Sequence, residues 1–203
     1  MFDAALRRRI DPWLEPLAAT LVRRGCSANA ITVGGFLLGA SGCVAIAFKQ
    51  YGVALAFIAL NRLADGLDGL VARRTKPTDV GGFLDIVLDF VFYSGVPFAF
   101  AVSDARWALP AAFLIYSFIG SGGSFLAFAT IATKRGVVSR PTMRRSFYYA
   151  AGLMEGGETV ALFVALCIWP ENFGVMAWVF GALCWVTTLA RVAMGVLTFR
   201  DDA

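Results

Sequence analysis

The chain has 203 residues, of which 59% are hydrophobic, with a mean hydropathy of +0.71 and a formal net charge of +4. This composition is more apolar than that of ordinary soluble domains and indicates an integral membrane protein. The sequence contains no histidine, which excludes zinc sites of the HExxH type and Ser-His-Asp triads. The basic residues lie near the ends of apolar runs, so they indicate membrane orientation and contact with anionic lipid; no nucleic-acid partner is expected.

Residues 1–25 combine arginines and prolines with scattered apolar residues. This pattern predicts an amphipathic helix that lies in the membrane surface. No uninterrupted apolar core precedes Arg23, so the segment is not expected to be a cleaved signal peptide.

Six apolar runs follow, each near the roughly 20 residues needed to cross a bilayer once the flanking turns are included. They cover residues 30–48, 51–64, 90–103, 107–133, 147–169 and 173–199. Long continuous runs favour helices over the alternating segments of a membrane barrel. The sequence therefore predicts an all-α integral membrane protein with six transmembrane helices over 30–199, forming a single domain over 1–203.

The distribution of positive charge predicts the orientation. If the N-terminus is cytoplasmic, the opposite side of the membrane receives only Lys49 and Arg106, and the cytoplasmic side receives the remaining clusters. The positive-inside rule then places both termini in the cytoplasm, in a bacterial-type inner or plasma membrane.

Four aspartates occupy the facing ends of the second and third runs. Asp65 and Asp68 are spaced i,i+3, and Asp85 and Asp89 are spaced i,i+4, so each pair shares a helical face. Each carboxylate at a helix centre costs roughly 2.5 to 3.5 kcal/mol. Around a turn centred near Pro77, the acids match in two layers of a helical hairpin. Oxygen ligands at this density suit Mg²⁺, Mn²⁺ or Ca²⁺, and two ions would neutralise all four charges.

The residues around the aspartates indicate a phosphate substrate. Gly66, Gly69, Gly81 and Gly82 leave room beside the backbone. Arg73 adds a forked cation that is suited to phosphate. Together with a metal site at the cytoplasmic end of the membrane, these features predict a phosphate-ester or pyrophosphate site.

These residues resemble the motif of the CDP-alcohol phosphotransferases, also called CDP-alcohol phosphatidyltransferases. The pattern is DxxDGxxAR followed by GxxxDxxxD, and it is matched by Asp65, Asp68, Gly69, Ala72, Arg73, Gly81, Asp85 and Asp89. The segment 27–32 is similar to the family's Pro-Asn-x-Ile-Thr start of the first span, with Ala28 in place of proline. The resemblance implies six transmembrane helices, an N-terminal surface helix and a homodimer.

The resemblance also implies residue roles and a reaction. Asp65, Asp68, Asp85 and Asp89 would bind Mg²⁺ or Mn²⁺, with two ions expected, and Asp89 would also be the general base on the acceptor hydroxyl. The CDP part of the donor would contact Gly66, Gly69, Ala72, Arg73, Asn29 and Thr32. The expected reaction transfers a phosphatidyl group from CDP-diacylglycerol to an alcohol acceptor and releases CMP.

The acceptor alcohol is left open by the sequence. Glu155 and Glu158 lie on one face of the fifth run, Arg144 precedes this run, and Arg191 lies near the end of the last run. All four are acceptor candidates. Two alternatives stay open: a CDP-choline or CDP-ethanolamine type donor with diacylglycerol as acceptor, and a transporter that uses the acids as a cation path.

Overall fold

The computed structural model describes residues 2–136 and 156–200, and every regular element in these ranges is helical. The seven α-helices are α1 (Phe2–Arg23), α2 (Ala28–Ala47), α3 (Tyr51–Arg74), α4 (Asp79–Ser103), α5 (Ala108–Lys134), α6 (Gly156–Ile168) and α7 (Phe173–Phe199). Single turns of 3-10 helix, Ala105–Trp107 and Pro170–Asn172, precede α5 and α7.

Four of the described helical segments are long and apolar enough to cross a membrane: Ala28–Ala47, Asp79–Ser103, Ala105–Lys134 and Pro170–Phe199. α3 has the length of a span, with 24 residues, but it carries more charged residues than an ordinary span. α6 is apolar and shorter, with 13 described residues. The predicted all-α membrane class is therefore confirmed, while six spans and a surface position for α1 stay predictions.

The helices around the aspartates extend well beyond the apolar runs. The sequence placed the apolar parts at 51–64 and 90–103, whereas α3 continues to Arg74 and α4 begins at Asp79. Apolar runs underestimate these helices because tertiary packing maintains a helix beyond its lipid-facing part. Leu67, Leu70 and Val71 of α3, for example, are buried together with Ala18 of α1. At the start of α4, the Thr78 hydroxyl accepts a hydrogen bond from the Gly81 amide at 3.0 Å, which caps the helix. The four aspartates consequently lie inside two regular helices.

Helix α2 packs against both α3 and α4. Close approach depends on glycine: a Cβ added at Gly35 would lie 2.8 Å from Ala64 Cβ, and one at Gly39 would lie 2.7 Å from the Phe92 ring. This is the helix packing expected from a GxxxG pair. α2 thus acts as a spacer that fixes α3 and α4 relative to each other.

The main core contains buried residues from α2 to α7, including Phe92, Phe100, Phe163 and Phe173. Phe100 stacks on Phe173 with ring centroids 4.4 Å apart, and Phe92 meets Phe163 edge-on at 5.8 Å. Such aromatic pairs add specific geometry to apolar burial. The ring of Phe92 therefore has a fixed position next to the aspartate-bearing end of α3.

Helix α1 lies along α3 and makes both apolar and ionic contacts with it. Ala18 is fully buried in a small cluster with residues of α3. Arg73 Nη2 lies 3.2 Å from Asp11 Oδ2, and Arg74 forms a short ion pair with Glu15. α1 is therefore attached to the end of α3 that carries the motif.

Candidate active site

Three of the four aspartates converge on one point. Asp65, Asp68 and Asp85 each offer a carboxylate oxygen, and these oxygens all lie within 4.8 Å of one another. Two oxygens bound to the same ion lie at most about 4.2 Å apart around Mg²⁺ and about 5 Å apart around Ca²⁺, given the usual metal–oxygen distances. The spacing fits the wider shell of Ca²⁺ directly, and a smaller ion such as Mg²⁺ would draw the three oxygens slightly closer together. The donor set is the hard oxygen chemistry that these ions prefer.

Neighbouring side chains hold this group in place. Asp68 is 7% exposed, and its Oδ2 accepts a hydrogen bond of 2.6 Å from the Thr32 hydroxyl of α2. A carboxylate buried to this extent needs polar partners. Thr32 thus links α2 to the acidic group and fixes the orientation of Asp68.

Asp89 lies beside an arginine that the sequence analysis did not single out. Arg62 Nη2 donates to Asp89 Oδ1 at 3.0 Å, and Arg62 Nη1 lies 3.9 Å from Asp65 Oδ2. Arg62 stands three residues before Asp65, and a cation within an apolar run at helical spacing from the acids was the signal that would have identified it. The site is therefore three converging carboxylates plus an arginine–aspartate pair.

Two clefts open on either side of the acidic group. The larger is an open cleft and the smaller a narrow recess, and both are lined by Thr32, Asp68 and Asp85. The smaller cleft also has Arg62 and Asp89 in its wall. The carboxylates thus lie between a cleft with room for a ligand and a narrow polar recess that contains Asp89.

The predicted donor residues divide into two sets. Asn29, Thr32, Gly69 and Ala72 line the larger cleft, together with Gly81. Gly66 and Arg73 stand outside its described lining.

Both of these residues face α1 instead. A Cβ on Gly66 would lie 3.1 Å from Leu14 of α1, and Arg73 pairs with Asp11. The Arg73 Nη1 atom would lie 3.4 Å from a Cβ on Gly69, so the guanidinium passes the edge of the larger cleft.

Of the acceptor candidates, Arg191 and Glu158 are outside the described lining of both clefts. Arg191 is 5% exposed and donates from Nη1 to the Ser121 carbonyl at 2.6 Å and to the Ser124 hydroxyl at 3.1 Å, which joins α7 to α5. Glu158 lies in the first turn of α6. Glu155 and Arg144 lie outside the described residues.

Over the described residues the fold is all-helical, with four candidate membrane spans and a group of three carboxylates. These features define an integral membrane protein with an acidic site. The chain belongs to the CDP-alcohol phosphatidyltransferase family, whose profile matches residues 26–192. It is therefore a phosphatidyltransferase of phospholipid biosynthesis.

Known proteins agree with this assignment. The chain is 46% identical over 202 residues to the inner membrane protein YnjF of Escherichia coli K12, covering 99% of this chain and 98% of that one. It is 27% identical over 190 residues to the archaetidylinositol phosphate synthase of Pyrococcus horikoshii, with 92% and 93% covered. These similarities fit an integral inner membrane protein.

The fold is also shared with a solved structure. Phosphatidylinositol phosphate synthase PgsA1 of Mycobacterium tuberculosis with CDP-DAG bound superimposes with a TM-score of 0.67 at 17% identity, covering 90% of this chain and 92% of that one. The same enzyme in complex with manganese and citrate gives a TM-score of 0.65 at 17% identity, with 89% and 87% covered.

Proposed function

We propose that this protein transfers a phosphatidyl group from CDP-diacylglycerol to an alcohol acceptor and releases CMP. The observation that carries the proposal is the group of three carboxylates in the wall between two clefts. The CDP-DAG bound to PgsA1 supports a lipid-linked donor. The larger cleft has room for a nucleotide headgroup and is lined by four of the predicted donor residues.

Asp65, Asp68 and Asp85 would hold Mg²⁺ or Mn²⁺, with Asp89 as a further ligand when two ions are present. The manganese complex of PgsA1 supports this cofactor class. A bound divalent ion would supply positive charge next to the donor pyrophosphate. Arg73, once released from Asp11, would add a second cation at the edge of the donor cleft.

Asp89 would act as the general base, because it lines the smaller cleft on the opposite side of the three carboxylates from the donor. The acceptor oxygen forms a bond to the phosphorus that carries diacylglycerol. The bond from this phosphorus to the bridging oxygen breaks, and CMP leaves with the electron pair. The hydroxyl proton passes to Asp89.

The remaining membrane features belong to the same proposal. We infer six spans, with both termini and the active site cytoplasmic, a single domain over 1–203 and a homodimer. α1 would lie in the membrane surface: Trp13 is 85% exposed on a helix whose other side contacts α3. α3 would cross the bilayer despite its charges because Arg62, Asp65 and Asp68 face polar partners within the protein.

Glu158 and Arg191 remain acceptor candidates within the described residues, and Arg144 and Glu155 are candidates outside them. We expect Glu158→Gln to raise the acceptor KM more than the donor KM. Glu171→Gln, in the turn before α7, is the matched control and should change neither. Equal losses for both substrates in Glu158→Gln would point to folding instead.

The decisive experiment measures CMP released from CDP-diacylglycerol by the purified protein with Mn²⁺ or Mg²⁺ and a panel of alcohols, both phosphorylated and unphosphorylated. We expect CMP together with one phospholipid product, and no turnover by Asp89→Asn. Asp104→Asn, at the other end of α4, should remain active. Absence of CMP with every alcohol would refute the lipid-linked donor; CMP released from CDP-choline or CDP-ethanolamine with diacylglycerol would establish the alternative donor. Because the family consists of enzymes, the transporter alternative is set aside.

A further inference from the structure

Arg62 has no place in the motif that identifies the family, yet it donates three hydrogen bonds beside the aspartates of the site. Its Nε donates to Asn61 Oδ1 at 2.8 Å, its Nη1 to the Tyr93 hydroxyl at 3.2 Å, and its Nη2 to Asp89 Oδ1 at 3.0 Å. Because the guanidinium is planar and its donors point in fixed directions, three such bonds determine its position.

Apolar and aromatic packing restricts the same guanidinium further. Arg62 Cζ lies 5.2 Å from the centroid of Phe92 and 5.5 Å from that of Tyr93. Both rings pack against Phe163, which is fully buried. A cation between aromatic rings is attracted to their faces. The guanidinium of Arg62 is therefore packed against aromatic residues of the main core.

Asn61 connects this arrangement to α2. Its Nδ2 donates to the Gly35 carbonyl at 2.8 Å, and the side chain is 4% exposed. A Cβ at Gly39 would lie 2.7 Å from Phe92 and 3.1 Å from Asn61 Nδ2. The glycine face of α2 thus makes room for the residues that hold Arg62.

A hydrogen bond of 3.0 Å from Arg62 distinguishes Asp89 from Asp65, which Arg62 approaches only to 3.9 Å. Asp65, Asp68 and Asp85 form the group within 4.8 Å, and among the described residues this group does not include Asp89. One oxygen of Asp89 is already bonded to Arg62. Since the pair carries no net charge, it attracts a cation much less than Asp89 would without Arg62.

We propose that Arg62 is a positioning residue that neutralises and orients Asp89, so that the protein without donor holds one divalent ion, on Asp65, Asp68 and Asp85, and not two. A second ion would bind only when the negative charge of the donor pyrophosphate is present. This inference rests on the proposed metal site and adds the order in which the two ions and the donor bind.

The test counts Mn²⁺ bound to the chelator-stripped protein, from the electron paramagnetic resonance signal of free Mn²⁺. We expect about one Mn²⁺ per chain in the wild type and in Arg62→Lys, and two in Arg62→Met, because Asp89 then becomes a free ligand. CDP added to the wild type should raise the count to two. Arg106→Met is the matched control: Arg106 also pairs with an aspartate and stacks on an aromatic ring, but it lies in the turn before α5.

A second pair of variants keeps the proposal testable if Arg62→Met does not fold. In Asp89→Asn, Arg62 loses its nearest anion and lies 3.9 Å from Asp65, so Mn²⁺ affinity should fall about tenfold through charge repulsion. Asp89→Asn combined with Arg62→Met should restore the affinity of the first ion.

Each result bears on a different part of the proposal. Two Mn²⁺ in the donor-free wild type, or equal affinity in Asp89→Asn and the double variant, would overturn the role of Arg62 while metal-dependent CMP release still stands. No Mn²⁺ bound to the wild type would overturn the metal site as well.

Discussion

The ion pair between Asp11 of α1 and Arg73 would compete with the proposed donor for this arginine. Arg73 is the arginine of the family motif, yet in this structure its Nη2 contacts Asp11 at 3.2 Å, outside the described lining of the larger cleft. The two side chains are 54% and 35% exposed. An ion pair this exposed contributes about 0.2 to 1 kcal/mol. Donor binding that requires Arg73 must therefore overcome up to about 1 kcal/mol, equivalent to about a fivefold change in affinity.

We expect Asp11→Asn to lower the donor KM by up to about fivefold at low ionic strength, with a free energy of unfolding lower by no more than about 1 kcal/mol. The gain should diminish as salt is added, because screening weakens the exposed pair in the wild type. The assay is CMP release as a function of CDP-diacylglycerol concentration in mixed micelles. Glu15→Gln is the matched control, since it removes the neighbouring pair with Arg74 and leaves Arg73 in place. A donor KM that rises in Asp11→Asn, or an equal fall in both variants, would refute competition for Arg73.

Three further predictions follow from the site and its support. Thr32→Val should weaken Mn²⁺ binding by about tenfold, because Asp68 loses the hydrogen bond that orients it, and Thr32→Ser should retain wild-type affinity in the same titration. Gly39→Ala should lower the free energy of unfolding by about 1 to 3 kcal/mol, since the added Cβ would meet the Phe92 ring at 2.7 Å; Gly52→Ala, which meets nothing within 4 Å, should be unaffected in the same denaturation assay. Treatment with a chelator should abolish CMP release and added Mn²⁺ should restore it; activity that persists without metal would contradict the carboxylate site.

The class of fold could be predicted from the sequence because long apolar runs have a direct physical cause, the thickness of the bilayer. The helix ends near the site could not, since Arg74 and Asp79 are polar and yet helical. The expectation that acids of the two helices converge holds for Asp65, Asp68 and Asp85, whereas Asp89, expected with them, is outside the group of three. The role of α2 in spacing the acids was not evident, because it depends on Gly35 and Gly39 meeting side chains far away in the sequence.

The contacts of individual arginines were the least accessible to sequence reasoning. Arg73, expected to contact the donor, pairs with Asp11 of α1, and Arg191, an acceptor candidate, donates to a carbonyl of α5. Arg62 was not singled out at all. A long flexible cation reaches several partners from one backbone position, so the helical spacing that locates a carboxylate does not determine where a guanidinium ends.

The position of α2 between α3 and α4 has a consequence for how substrate preference can differ among members of the family. α2 contains no acidic residue, yet its glycine face sets the gap across which the carboxylates of α3 and α4 meet. Substitutions on that face would widen or narrow the gap while every motif residue stays the same. Where relatives with identical motifs differ in ion size or headgroup preference, we therefore expect the responsible substitutions in α2.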